Sequence, residues 1–289
     1  GIAPRIYGLS MRSLDIKEDK KVLIIRIAKS LMSPHMVTLG RSHKFYIRNS
    51  VGRHLMDVSE LRHAFLVTNG VIKQIKDWRL ERVMKIASFE TPVRLQSCPI
   101  LILHLIPFEA ISGELLIDPK EYYQKKELLG GLSTSTWSHR YNLDGFLTYD
   151  KFEDKDIYRW YLQCFRNGSI ELADTYLLDH GDLPFQFIET SIIKSLGNYL
   201  KALSEIGIKM PLVITMSFVN VKGLKATNSY WGVKQVPIDR DDILLPEIIL
   251  ESRPDNIPSI LKPIFDSMWN AVGLPGSISY DRQGNWDPQ

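Results

Sequence analysis

The hydrophobic pattern changes its period several times along the chain, and each change marks an element. Residues 22–28, Val-Leu-Ile-Ile-Arg-Ile-Ala, are β-branched and nearly continuously apolar, the pattern of a buried strand. Ser33-Pro34-His35 breaks it. Residues 36–39 and 44–48 then predict a hairpin across Gly40-Arg41-Ser42-His43, where glycine supplies the backbone freedom of the turn. From Met56 the period lengthens to that of a helix. Asp57, with Glu60 three residues on, has the spacing of a capping box. This helix is expected to run to about Thr68 and to stop at Asn69-Gly70. A second helix is expected over 71–89, with Ile72, Ile75, Val83 and Ile86 on its buried face.

Residues 91–99 read as a linker, and the pattern beyond it differs. Strands are predicted at 100–106, 142–149, 157–166, 169–174 and 212–219. Asn167-Gly168 joins two of them as a strong hairpin signal. Residues 130–138 form a Gly/Ser/Thr-rich loop, and 221–258 are irregular and charged. Long amphipathic helices are predicted over 185–206, closed by Gly207, and over 259–271, before a polar, Trp-bearing tail from Gly273. No internal repeat is visible. The expected fold class is α/β or α+β: a mixed sheet with helices over residues 1–91, then a second mixed α/β domain over 92–289.

Composition adds bounds. With 289 residues, 44% hydrophobic and 24% charged, the chain can bury a core for two ordinary domains or one large one. The longest apolar runs, 22–28 and 99–107, fall far short of the ~20 residues a membrane helix needs, so no membrane partner is expected. No signal peptide is visible. The two cysteines, Cys98 and Cys164, lie in no C-x-x-C pair, which argues against a disulfide framework or structural zinc. Two reduced thiols in the cytoplasm are expected. The chain opens on Gly1-Ile2-Ala3-Pro4 without an initiator Met, and residues upstream of Gly1 are expected.

Chemistry is sparse. Neither G-x-x-x-x-G-K-S/T, nor G-x-G-x-x-G after a strand, nor G-x-S-x-G occurs. The seven histidines show no H-x-x-x-H spacing, and each reads as a surface or hydrogen-bonded residue. The acidic runs Asp239-Arg240-Asp241-Asp242 and Asp154-Lys155-Asp156 read as solvated loop charges. No cofactor is expected. Net charge is only +3, but basic residues outnumber acids over 41–94. Lys73, Lys76, Arg79, Arg82 and Lys85 are spaced by three, which spirals around a helix, so they read mostly as solvation. Arg41, His43, Lys44, Arg48, Arg53 and His54 fall on the predicted hairpin and the loop after it. Lys44, Tyr46 and Arg48 alternate to one strand face. Cations flanking an aromatic suit a phosphate backbone with a stacked base. A solubilising face, with Arg48 in a structural ion pair, fits the same pattern.

An ordered set of motifs resembles a known family. It comprises Ile2-Ala3-Pro4-Arg5-Ile6, the strand at 22–28, residues 30–35, Phe45-Tyr46-Ile47-Arg48-Asn49-Ser50 and Met56-Asp57-Val58-Ser59-Glu60-Leu61-Arg62. Together these resemble the later half of the Schlafen-like, divergent Alba-type DNA-binding domain of bacterial proteins, over residues 1–69. Tyr141-Asn142-Leu143-Asp144-Gly145, Phe165-Arg166-Asn167-Gly168-Ser169-Ile170-Glu171 and the stretch from Trp269-Asn270-Ala271 to Asn285-Trp286 resemble the C-terminal region of long members.

The resemblance implies binding of DNA or RNA in bacterial, anti-phage defence or regulation. The expected contacts are Arg41, His43, Lys44, Tyr46, Arg48 and Arg53. Its alternative is a metal-dependent RNA or DNA endonuclease; the family's metal-holding carboxylates would precede Gly1, so no residue here inherits that role, and divalent metal enters only on that reading. A further alternative is a sensor or assembly protein, with a homo-oligomeric, protein or small-molecule partner at the second domain.

Overall fold

The computed structural model describes residues 1–289 except 5, 7–9, 18–19, 28–29, 31, 50–51, 98, 112, 114, 134–136, 153–155, 180, 228–235 and 289. The first region is strand-built: β1 (Ile2–Ala3), β2 (Ser10–Lys17), β3 (Lys20–Arg26), β4 (Met36–Leu39), β5 (Ser42–Asn49) and β6 (Gly52–Leu55). β1-β4-β5-β6 make one antiparallel sheet, and β2-β3 pair separately. The strand expected near 22–28 forms, but its burial does not. Val22, Leu23, Ile24 and Ile25 are 42–58% exposed. The register gives the reason. Met11↔Ile25 and Ser13↔Leu23 share one face, while Leu14↔Val22 and Arg12↔Ile24 share the other. A strand apolar on both faces needs a layer on each side. Among the described residues the β2-β3 ribbon has neither.

Next comes α1 (Val58–Ala87), a single helix of 30 residues. Its start is the capping box read from sequence. The Asp57 carboxylate accepts from the Glu60 N–H at 2.8 Å, and Glu60 accepts from the Asp57 N–H at 2.9 Å. The expected break at Asn69-Gly70 is absent, so the two predicted helices are one. A mid-helix glycine costs only about 1 kcal/mol relative to alanine. The second half of the helix offsets that easily, because Ile75, Val83 and Ile86 are buried against the large sheet and Ile72 packs beside them.

That sheet contains β7 (Ile100–Pro107), then, after α2 (Pro119–Gln124), β8 (Ser138–Tyr141), β9 (Gly145–Phe152), β10 (Ile157–Phe165) and β11 (Ile170–Asp174). Following α3 (Phe185–Ile206) come β12 (Leu212–Val219), β13 (Ile243–Leu244) and β14 (Ile248–Leu250), and α4 (Ile257–Asn270) is the last helix. The order is β13-β12-β7-β11-β10-β9-β8, with β14 beside β12, and every pairing is antiparallel. Alternate residues of β7 face opposite layers. Leu101, Leu103 and Leu105 share a core with α3 and α4, while Ile100, Ile102 and Ile106 meet α1. The fold is therefore mixed α/β, with helices on both faces of an antiparallel sheet. The expected linker is docked: Arg94 and Gln96 bracket Tyr158 through backbone hydrogen bonds of 2.9 and 3.0 Å, and Val93 and Leu95 are buried.

The cationic stripe on α1 also departs from expectation. Arg79 and Arg82 do not serve solvation. Under the helix, Thr215, His104, Glu171 and Gln163 stand in register on four neighbouring strands and are buried. Arg82 grips Glu171 through two hydrogen bonds of 2.7 Å. Tyr161 donates to the same carboxylate at 2.8 Å, and His104 Nε2 lies 3.1 Å away. Arg79 donates to the Met216 carbonyl at 2.7 Å and to Ser217 Oγ at 3.0 Å. Burial alone would raise the Glu171 pKa, yet Arg82 and His104 hold it at about 2. Burial lowers the His104 pKa against the pull of Glu171, so the imidazole is neutral and the ion pair is Arg82–Glu171. A carboxylate can ionise here because three side chains, Arg82, Tyr161 and His104, converge on it.

The remaining expectations sort simply. Cys164 is free and buried, and burial pushes its thiol pKa up. Cys98, Asp154, Lys155 and His180 lie outside the described residues. Asp239, Asp241 and Asp242 are exposed. Among the described residues, no helix is long and apolar enough to cross a membrane.

Candidate nucleic-acid interface

The β4-β5 turn is short. Leu39 pairs with Ser42, leaving Gly40 and Arg41 at the tip, and Gly40 takes the left-handed φ of 58°. Arg41 is thereby presented to solvent. Along β5 the pairs are Lys44↔Val37, Tyr46↔Leu55 and Arg48↔Arg53. Opposed residues on an antiparallel pair share a face. Lys44, Tyr46, Arg48 and Arg53 therefore stand together, as the alternation predicts for the first three. His43 alternates to the other face with Phe45, which meets Phe65 of α1 edge-on at 6.3 Å. Of the six candidates, four share a face, Arg41 sits at its end and His43 is turned away.

The electrostatics of this face are uncompensated. Among the described residues, Arg41, Lys44, Arg48 and Arg53 have no carboxylate at ion-pair distance, so the structural ion pair considered for Arg48 is not formed. Arg48 and Arg53 are directly opposed, an arrangement that destabilises an isolated strand pair. Arg53 places its guanidinium 5.0 Å from the centre of the half-buried Tyr46 ring. Tyr46 also lines an apolar cavity of about 820 Å³, together with Val37, Ile47, Met56 and His63. His54, by contrast, is engaged by Glu60 at 3.0 Å, which removes it from the free basic set.

Among the described residues, no three His, Cys, Asp or Glu side chains are grouped to hold a metal ion. Sequence reasoning missed a second surface. Tyr123 of α2 and His139 and Tyr141 of β8 form an exposed aromatic cluster on the edge of the large sheet. The signal is the alternation in Trp137-Ser138-His139-Arg140-Tyr141, but the loop expected over 130–138 and the strand expected over 142–149 leave residues 139–141 unassigned between them.

Compared with known proteins, the chain matches no family model, no curated protein and no solved structure.

Proposed function

We propose that this chain binds nucleic acid, DNA or RNA, through the face that carries Lys44, Tyr46, Arg48 and Arg53, with Arg41 at its end. The observation that supports this reading is that one strand face and its end gather four cations with no carboxylate partner among the described residues, one of them, Arg53, over the Tyr46 ring. Chains keep like charges together where a polyanion supplies the counter-charge, and guanidinium and aromatic planes are the groups on which unstacked bases rest. The Schlafen-like motif set points the same way and adds bacterial defence or regulation as the setting.

A salt titration of binding to single-stranded and duplex DNA and RNA tests it. Lys44→Glu and Arg48→Glu should weaken binding across unrelated sequences, and each lost phosphate contact should reduce the slope of log affinity against log salt by roughly one. Tyr46→Ala should weaken single-strand binding by about 1–3 kcal/mol and leave the salt slope alone. Unchanged affinity in all three folded variants would remove the interface. Magnesium-dependent cleavage of either nucleic acid by the full chain would move the reading to the endonuclease.

A further inference from the structure

Resting on the nucleic-acid reading but on a different surface, we propose that β8 and α2 form a stacking track for single-stranded nucleic acid. Its rings are Tyr123, His139 and Tyr141, and Lys126 supplies a phosphate contact.

The track is built on an edge. β8 ends the strand order of the large sheet, and all four of its residues are exposed. His139 and Tyr141 occupy alternate positions of β8, so their rings face one side about 6.6–6.8 Å apart along the strand. Tyr123 closes the gap from α2, with its centre 5.3 Å from His139 and 6.3 Å from Tyr141. The rings share a floor. Fully buried Phe146 lies 5.7 Å from His139, 5.7 Å from Tyr141 and 6.3 Å from Tyr123. This shared support fixes the rings, which lowers the entropy lost when a base stacks on them.

The cluster is not part of the core. Tyr141 is 52% and Tyr123 40% exposed. Lys126 Nζ sits 4.3 Å from the centre of the Tyr123 ring and, among the described residues, has no carboxylate at ion-pair distance. Exposed rings on a rigid floor beside an unpaired cation match a single strand, in which bases turn to the protein and phosphates run alongside. A duplex hides its base faces and cannot use them.

Fluorescence anisotropy with labelled oligouridylate, oligothymidylate and a duplex of equal length tests the track in the full chain, with melting temperature as the folding control. Tyr123→Ala and Tyr141→Ala should each weaken single-strand binding about 5- to 150-fold, the worth of one stacked base, and leave duplex binding unchanged. Tyr141→Phe should retain wild-type affinity, and Lys126→Ala should lower the salt slope. Unchanged single-strand affinity in the folded double variant Tyr123→Ala/Tyr141→Ala would overturn the inference. Loss only with Arg48→Glu would leave the hairpin reading standing and remove this one; loss only with the tyrosine variants would do the reverse. Capture of a strand-forming peptide at β8, with no oligonucleotide bound, would also overturn it.

Discussion

β3 and β7 both carry an apolar run, residues 22–25 in one and 100–103 in the other, yet the two end in opposite surroundings. β7 is buried along its whole length, between α1 on one side and α3 and α4 on the other. Among the described residues β3 pairs only with β2, and it keeps Leu23 58% and Ile25 50% exposed. Among the residues of 1–70 whose burial is described, only Pro34 is buried, whereas the sheet beyond residue 100 is sealed over most of its area. Burial is thus a property of layers. An apolar run states a demand, and neighbouring elements decide whether it is met. Two buried carboxylates repeat the lesson in polar form. Glu171 receives Arg82, Tyr161 and His104 and stays ionised. Asp174 accepts from the Leu177 N–H, while its Oδ2 has no hydrogen-bond partner among the described residues. Burial therefore raises its pKa to about 7 despite the backbone donors.

The largest effect should come from breaking the satisfied carboxylate. Glu171→Ala leaves Arg82 and His104 without their partner beneath α1, and urea unfolding should register a loss of about 3–5 kcal/mol. A loss under about 1 kcal/mol would mean that water replaces the carboxylate and that α1 is not clamped there. Asp174 should behave oppositely. Its pKa is raised from 3.8, so the folded chain holds that proton more tightly than the unfolded chain. The resulting stability is full below the unfolded pKa and is lost as pH rises through about 7. Asp174→Asn keeps the neutral form and the acceptor for Leu177. It should match wild type near pH ~4 and exceed it by up to a few kcal/mol near pH ~8 in thermal melts. An Asn variant less stable than wild type at both pH values would show the carboxylate to be partnered after all.

Local signals were legible and long-range ones were not. The Asp57–Glu60 box, the Asn167-Gly168 turn and the α3 stop at Gly207 depend on residues within one turn of each other, and each stands as read. Gly70 was misread because a helix continues wherever its next turn finds a surface, and that surface lies in strands beginning some thirty residues later. Arg79 and Arg82 were misread for the same reason, since their partners are at 216, 217 and 171. On the candidate interface, alternation correctly placed Lys44, Tyr46 and Arg48 on one face. It could not supply Arg53, whose place beside Tyr46 follows from the β5-β6 register, and with the turn expected over 40–43 it was not extended to His43, which β5 turns to the other face.

The smallest expected effect tests the comparison between β3 and β7 most directly. Leu103 and Ile24 are similar side chains on central positions of long strands. Leu103 is 1% exposed and Ile24 is 47% exposed. Leu103→Ala should cost about 2–5 kcal/mol, because it removes buried methyl groups and leaves a cavity between β7 and the helices. Ile24→Ser should change stability by no more than about 0.5 kcal/mol, because the side chain it replaces is half in water. Backbone amide exchange should follow the same division, with β2 and β3 exchanging through local opening and β7 only through global unfolding. If Ile24→Ser costs as much as Leu103→Ala, or if the amides of β3 are protected like those of β7, the ribbon is covered in solution by a layer beyond the described residues. The contrast between the two strands would then lie in where the covering layer comes from, since both would have one.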